Sequence, residues 1–252
     1  MQQIQTNKDL REKELSSTMN AFHFKQFSIR HELCAMKVGT DGVLLGAWAD
    51  CIHAFNILDV GTGSGILAMM AAQRNPNAMI TAIDIEPMAV EQSRINAEAS
   101  LWHNRIHVEQ ADIRQWPSEE TFDCILCNPP FYSNGMLSPQ AQRNQARQTS
   151  CLSFEDLIAS CAKRLSEEGS FYVIIPAESA DHFIQTCWEN DLFLKRKVWV
   201  FTKENKPSKR ILLEFSHTRG DFPLSEKLIL KDAENEPTDE YKKLTGDFYL
   251  NY

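Results

Sequence analysis

The stretch FNILDVGTGSGILAMMAA (residues 55–72) constrains the fold more than any other part of the chain. Residues 57–60 read as a short buried strand, closed by glycines at alternate positions 61, 63 and 65. An Ala/Leu/Met segment follows to about Asn75, where Pro76 stops it. Strand, glycine loop and helix in that order predict an α/β protein with a parallel sheet. Glycines tolerate positive φ and let a ligand approach the backbone, and the helix start offers N–H groups without intrahelical partners. The dinucleotide fingerprint is G-x-G-x-x-G. Here Gly61, Gly63 and Gly65 give G-x-G-x-G, Ile66 stands where the third fingerprint glycine would be, and no Lys-Ser/Thr follows as in a phosphate loop. Asp59 ends the strand just before the glycines. A carboxylate there repels a pyrophosphate and attracts an ammonium group. The loop favours a zwitterionic amino-acid ligand over a dinucleotide.

The next units repeat this alternation. A strand over 79–83 ends at Asp84, which reads either as an acceptor for two ribose hydroxyls or as a cap for the helix opening at Pro87. A strand over 105–109 leads to Asp112-Ile113, where Asp112 reads an adenine amino group or simply ends the strand. A strand over 122–127 stops at Asn128-Pro129-Pro130-Phe131-Tyr132. Consecutive prolines stiffen that loop and hold its neighbours extended, though taken alone it is equally a turn. Helices are expected over 154–165, stopped at Gly169, and over 180–189, with a strand over 170–175 between them. Strands over 193–201 and 210–215, joined by TKENKPSK, predict an antiparallel hairpin. The strands from 57–60 to 210–215 make a seven-stranded, mostly parallel sheet closed by that C-terminal hairpin. A further strand near 228–230 and a helix near 238–244 complete the expectation.

Residues 1–19 are polar and predict a flexible N-terminal segment. FHFKQF (22–27) alternates at strand period, and its phenylalanines read as core packing in preference to an aromatic lip over a site. In MKVGTDGVLLGAW (36–48), Thr40 or Asp41 caps a helix beginning near Gly42; the same position would turn both residues toward a ligand. Net charge is −8, which excludes a generally basic nucleic-acid coat but not a local patch. Residues 194–212 carry Lys195, Arg196, Lys197, Lys203, Lys206, Lys209 and Arg210 against Glu204 alone. They read as a phosphate-binding patch or as a solvated hairpin tip. Arg143 and Arg147 are a second candidate pair for RNA. The seven cysteines are an odd number without framework spacing, which predicts reduced thiols. Cys124 and Cys127 lie three apart on a strand, so they face opposite ways, and no second pair stands at zinc-ligand spacing; no metal is expected. No apolar run would span a bilayer and no signal-peptide core is present, so a cytoplasmic protein without a membrane partner is expected.

Taken together, the glycine loop, Asp84, Asp112 and Asn128-Pro129-Pro130-Phe131 at successive strand ends resemble the class I S-adenosylmethionine-dependent methyltransferases. The Asn-Pro-Pro-aromatic signature is similar to the branch that methylates adenine N6, guanine N2 or glutamine amides. FKQF (24–27), CAMKVGTDGVLLGAW (34–48) and the ending Tyr241, Leu244, Thr245, Asp247, Phe248, Tyr249, Leu250 resemble bacterial tRNA adenine-N6 methyltransferases.

That resemblance implies a Rossmann-like domain over 20–252, with 20–54 as an N-terminal cap. It implies S-adenosylmethionine as donor, S-adenosylhomocysteine as product, and the adenine beside the anticodon of a valine tRNA as substrate, presented in the anticodon loop. It carries Asp59, Gly61, Gly63 and Gly65 to the methionine portion of the cofactor, with Thr40 and Asp41 nearby. Asp84 goes to the ribose, Ile85 to the flank of the adenine, and Asp112 and Ile113 to the adenine itself. The exocyclic amine of adenine is a weak nucleophile because its lone pair is delocalised into the ring. The Asn128 side-chain oxygen and the Pro129 carbonyl would accept its two N–H bonds and favour pyramidalisation, with Pro130 stiffening the loop and Phe131 stacking on the extruded base. The branch often has Tyr where Phe131 stands, with Tyr132 next. Release-factor glutamine methylation requires a larger helical domain before the glycine loop than the preceding segment allows. Ribosomal guanine-N2 methylation shares the motif. A non-catalytic RNA-binding module would carry a degenerate loop, and this one is intact. No motif sets an oligomeric state.

Overall fold

The computed structural model describes residues 21–34, 36–117, 119–130 and 152–251. A short antiparallel hairpin, β1 (Ala21–His23) and β2 (Ser28–Arg30), precedes helix α1 (Thr40–Trp48). Then follow β3 (Asn56–Val60), α2 (Ile66–Arg74), β4 (Met79–Asp84), α3 (Pro87–Glu98), β5 (Ile106–Gln110) and β6 (Phe122–Cys127). The second half runs α4 (Phe154–Ala162), β7 (Leu165–Pro176), α5 (Ala180–Glu189), β8 (Phe193–Phe201), β9 (Arg210–Ser216), β10 (Leu224–Ile229) and α6 (Asp239–Thr245).

The main sheet has the order β10-β8-β9-β7-β6-β3-β4-β5. Neighbours are parallel throughout except at β9, which is antiparallel to both β7 and β8. The sheet therefore has eight strands where seven were expected. The eighth is β10, the further strand expected near 228–230, which begins earlier and joins the sheet by pairing in parallel with β8 from Leu224↔Arg196 to Ile229↔Phe201. Its first four residues are exposed, as suits an edge.

Each face of the sheet is covered by its own apolar cluster. One cluster joins Leu44, Leu67, Met70, Val90, Leu126 and Phe248, from α1, α2, α3 and the C-terminal segment. The other joins Leu58, Ile125, Leu157, Phe171, Phe183 and Phe215, with α4 and α5. Cys124 belongs to the first and Cys127 to the second, so the C-x-x-C pair straddles the sheet. Burial pushes both thiols well up. The N-terminal phenylalanines are core: Phe24 and Phe27 stack at 4.6 Å between centroids, and Phe24 bridges to Tyr249.

Where β5 leads out of β4, the chain has moved to one edge, and β6 returns to the other side of β3. The gap between β3 and β6 is the switch point, and crevices at the carboxyl ends of such strands are where ligands bind in open α/β sheets. No helix among the described residues is long and apolar enough to cross a membrane.

Candidate active site

The glycine loop leaves β3 at this switch point. Gly61, Gly63 and Gly65 all have positive φ, at 68°, 55° and 83°. A Cβ at Gly61 or Gly63 would meet open space, so the loop presents bare backbone to the crevice. At Gly65 a Cβ would stand 2.7 Å from Ser93 Oγ, so here the constraint is close packing against α3.

Asp59 holds the loop from beneath. Its Oδ2 accepts from Thr62 Oγ1 at 2.6 Å and from Ala68 N at 3.1 Å. The side chain is fully buried, and its Oδ1 has no hydrogen-bond partner. Burial drives the carboxyl up to about 7, against the lowering pull of Thr62 and Ala68, and Asp84 adds to the rise. An orphaned acceptor below a loop of exposed backbone fits a ligand that brings its own ammonium donor. The sequence also brings Gly61 N and Thr62 N to the carbonyl of Ile83, at 2.9 and 3.0 Å.

Asp84, at the end of β4, is half-buried and accepts from Gly63 N at 2.9 Å and Glu86 N at 3.0 Å. A carboxylate has about four acceptor positions, so two remain for hydroxyl donors. Ile85 beside it is exposed. Asp112 lies beyond β5 and is gripped by its neighbour: Arg114 Nε is 2.9 Å from Oδ1 and Arg114 Nη2 is 2.6 Å from Oδ2. That guanidinium holds the Asp112 carboxyl below its usual range. The Ile113 side chain is buried in the core cluster of α4 and α5.

Asn128 follows β6. The register Val60↔Cys127 brings it alongside Gly61, with Asn128 half-buried, Pro129 buried and Pro130 exposed. Phe131, Tyr132, Arg143 and Arg147 lie outside the described residues. Helix α1 reaches the same point. A Cβ on Gly42 would stand 3.3 Å from Ile66 Cγ2 and 3.9 Å from Asn128 Nδ2. The missing side chain lets the first turn of α1 close on the glycine-loop helix and on Asn128 together.

The expected cap on this helix is not formed. The helix begins at Thr40, its N-cap is Gly39, and no side chain caps it. Asp41 is drawn elsewhere: its Oδ2 accepts from Arg210 Nε at 2.7 Å. The carboxyl edge thus gathers the glycine loop, Asp84, Asp112, Asn128 and residues 40–42. It also carries the β8–β9 loop, where Lys206 and Lys209 are exposed. Lys203 donates to the Ala233 carbonyl at 3.2 Å, and Arg210 turns inward to Asp41.

Three supporting residues were missed in the sequence. On α3, the Asn96 amide accepts from Arg30 N and donates to the carbonyls of Arg30 and Ser64. Gln92 accepts from Leu33 N. Their spacing of four on a buried helix face was the available signal. Gly42 was legible only as part of a helix start.

A mostly parallel sheet with this loop and these carboxylates at its switch point defines a methyltransferase fold, for which S-adenosylmethionine is the methyl donor. A crystal structure of a predicted O-methyltransferase from Agrobacterium tumefaciens superposes with a TM-score of 0.64, at 20% identity, over 82% of this chain and 96% of that one. Residues 39–186 match the Methyltransferase small domain family. The tRNA1(Val) (adenine(37)-N6)-methyltransferase of Phocaeicola vulgatus is 46% identical over 230 residues, which are 91% of this chain and 97% of that protein. The protein of that name from Klebsiella pneumoniae is 41% identical, over 92% of this chain and 95% of its own length. The chain belongs to the tRNA1(Val) (adenine(37)-N6)-methyltransferase family.

Proposed function

We propose that this protein transfers the methyl group of S-adenosylmethionine to N6 of adenine 37 in the anticodon loop of tRNA1(Val). The observation that carries the reading is Asn128 standing beside the glycine loop at the switch point, in a chain this similar to those relatives. The cofactor, when bound, supplies a methyl group on a positively charged sulfur. Gly61 and Gly63 offer backbone approach for its amino-acid end, with the Asp59 carboxylate as the buried counter-charge. Asp84 keeps acceptor positions for the ribose hydroxyls. Ile85 offers an apolar flank for the cofactor's adenine, and Asp112 and Ile113 mark its far side. Thr40 and Asp41 stand near the methionine end, with the Asp41 carboxylate turned to Arg210.

On the substrate side, Asn128 Oδ1 and the Pro129 carbonyl accept the two N–H bonds of the target amine. This draws its lone pair out of conjugation and aims it at the methyl group. After transfer the amine nitrogen sheds a proton to water, so no strong base is required. Positioning and fixed dipoles supply most of the rate. Phe131 is assigned to base stacking, and Arg143 and Arg147 remain candidates for RNA contact. Lys203, Lys206 and Lys209 sit at the same sheet edge as Asn128, which supports a role in holding RNA phosphates. The N-terminal hairpin and α1, within 20–54, are read as a cap on one domain, since Asn96 joins Arg30 to the glycine loop.

The test is mass spectrometry of nucleosides from tRNA1(Val) incubated with the protein and S-adenosylmethionine. N6-methyladenosine at position 37 is expected, and Asn128→Ala should reduce its formation at least 100-fold while cofactor affinity stays within a few-fold. Methylation at another base or at guanine N2, or full turnover by Asn128→Ala, would reject the assignment.

A further inference from the structure

Helix α1 is nine residues long, and everything in it but Thr40 and Asp41 is buried. Both of its ends are tied to the antiparallel hairpin. At its C-terminal end, the Arg196 guanidinium lies 4.2 Å from the centroid of the Trp48 ring, and its Nε donates to Glu214 Oε2 at 2.9 Å. The Tyr172 hydroxyl donates to the Asp50 carbonyl just beyond, at 3.1 Å. At its N-terminal end the tie is the ion pair between Arg210 and Asp41, with both side chains about one-third exposed at 33% and 28%. Arg210 opens β9 and is itself fixed by pairing with Pro176 at the end of β7 and with Val200 on β8.

The turn held by this pair is the one that touches Asn128. Gly42 follows Asp41 directly, and its Cα face is the surface against Ile66 and the Asn128 amide. Among the described residues no side chain caps the helix there, and the Arg210 hydrogen bond ties this turn from outside the helix. A partly exposed ion pair contributes little to stability by itself. Its effect is directional: it sets where residues 40–42 rest against the amide that must aim the substrate amine.

We infer that Arg210 is a positioning residue, acting through Asp41 to hold residues 40–42 against Asn128, and is not an RNA phosphate ligand. This rests on the methyl-transfer reading above and adds to it a residue that touches neither cofactor nor substrate. The two roles for Arg210 make opposite forecasts for Asp41. A phosphate ligand would be released by Asp41→Ala, and RNA affinity would hold or rise. A positioning residue makes Asp41→Ala resemble Arg210→Ala.

The experiment is a double-mutant cycle of Asp41→Ala, Arg210→Ala and the double variant, with Arg210→Lys as the conservative control. Each is assayed for kcat, for KM toward tRNA1(Val) and for the salt dependence of RNA binding. Either single alanine variant is expected to lower kcat about 10- to 100-fold, the double variant no further, and Arg210→Lys to recover most of the loss. The slope of log affinity against log salt should be unchanged in Arg210→Ala. Overturning results are a raised KM at constant kcat with a shallower slope by about 0.7–0.9, or losses that multiply in the double variant. Amide hydrogen exchange over residues 40–45 reads the tie without turnover. It should quicken equally in both single variants, and unchanged protection there refutes the inference even if the substrate is another RNA. Absence of methylation by the unsubstituted protein, with the exchange result as expected, would instead refute the substrate reading alone.

Discussion

The buried carboxyl under the glycine loop makes the most quantitative forecast. Asp59 is pushed from an ordinary carboxyl value of 3.8 to about 7, chiefly by burial. Between those values the folded chain holds a proton on Asp59 and the unfolded chain does not. The folded state binds more protons, so stability must fall as pH rises. The contribution is fully present below about pH 4 and is lost as pH passes about 7. One proton over roughly 3 pH units, at about 1.4 kcal/mol per unit, sets an upper scale of about 4 kcal/mol. The amide in the variant Asp59→Asn still offers an acceptor to Thr62 and Ala68 but has nothing to titrate. Urea unfolding of both proteins, freed of cofactor, at a series of pH values between 4 and 8 isolates the effect as a difference. The unsubstituted protein should lose stability relative to Asp59→Asn steadily across that window. Asp112, whose carboxyl is lowered by Arg114, acts with the opposite sign: its contribution is present above the ordinary carboxylate range and is lost as pH falls. It is common to both proteins and cancels in the difference. A flat difference between pH 4 and 7 would show that Asp59 stays ionised when the protein folds, and would refute the rise that burial gives its carboxyl.

Two further outcomes follow from the same edge of the sheet. Gly65→Ala should cost about 1–2 kcal/mol in urea unfolding from its φ of 83° alone, with more from the 2.7 Å approach to Ser93 Oγ; adding Ser93→Ala should recover the second part and not the first. Lys206→Glu with Lys209→Glu should weaken tRNA binding and flatten its salt dependence by about one to two units of slope, measured by filter binding, while leaving cofactor affinity unchanged; an unchanged slope removes the β8–β9 loop from the RNA surface.

Legibility in the sequence followed how local the determining physics was. The βα unit at 55–72 declared itself through glycine spacing and an Ala-rich helix, and α5 ran from 180 to 189 as expected because no distant strand competed for its ends. Helix α4 stopped at Ala162, short of 165, because Leu165 pairs with Phe122. Gly169 is not a helix stop. It sits where β7 bulges, and a Cβ there would be 2.9 Å from Phe122 O. The eighth strand was legible only at its apolar end, near 228–230, because LSEKLI is exposed over most of its length and lacks a clean alternation. At the site, Asp84 and Asn128 were visible as strand-end residues. The pairing of Asp41 with Arg210 joins positions 169 apart in sequence, and no local pattern carries that information.

The reversal of β9 ties these features together. A parallel strand in its place would need a crossover of a dozen or more residues and would begin at the far edge of the sheet. Because β9 runs against its neighbours, it begins at the carboxyl edge, where β7 ends at Pro176 and the loop from β8 arrives. Its first residue, Arg210, therefore reaches the crevice and meets Asp41. Its fifth, Glu214, lies farther along and meets Arg196 beneath Trp48. The two contacts are spaced along one strand roughly as their partners are spaced along the helix: four residues at about 3.3 Å give roughly 13 Å, and the seven steps from Asp41 to Trp48 at about 1.5 Å give roughly 10 Å, a difference the long arginine side chains absorb. One antiparallel strand thus spans the helix that rests on Asn128, and the exposed lysines on its entry loop stand at the same edge. Shortening β9 between Arg210 and Glu214 would break that match in length, so on the proposed methyl-transfer reading the hairpin is as much a part of the site's frame as the glycine loop.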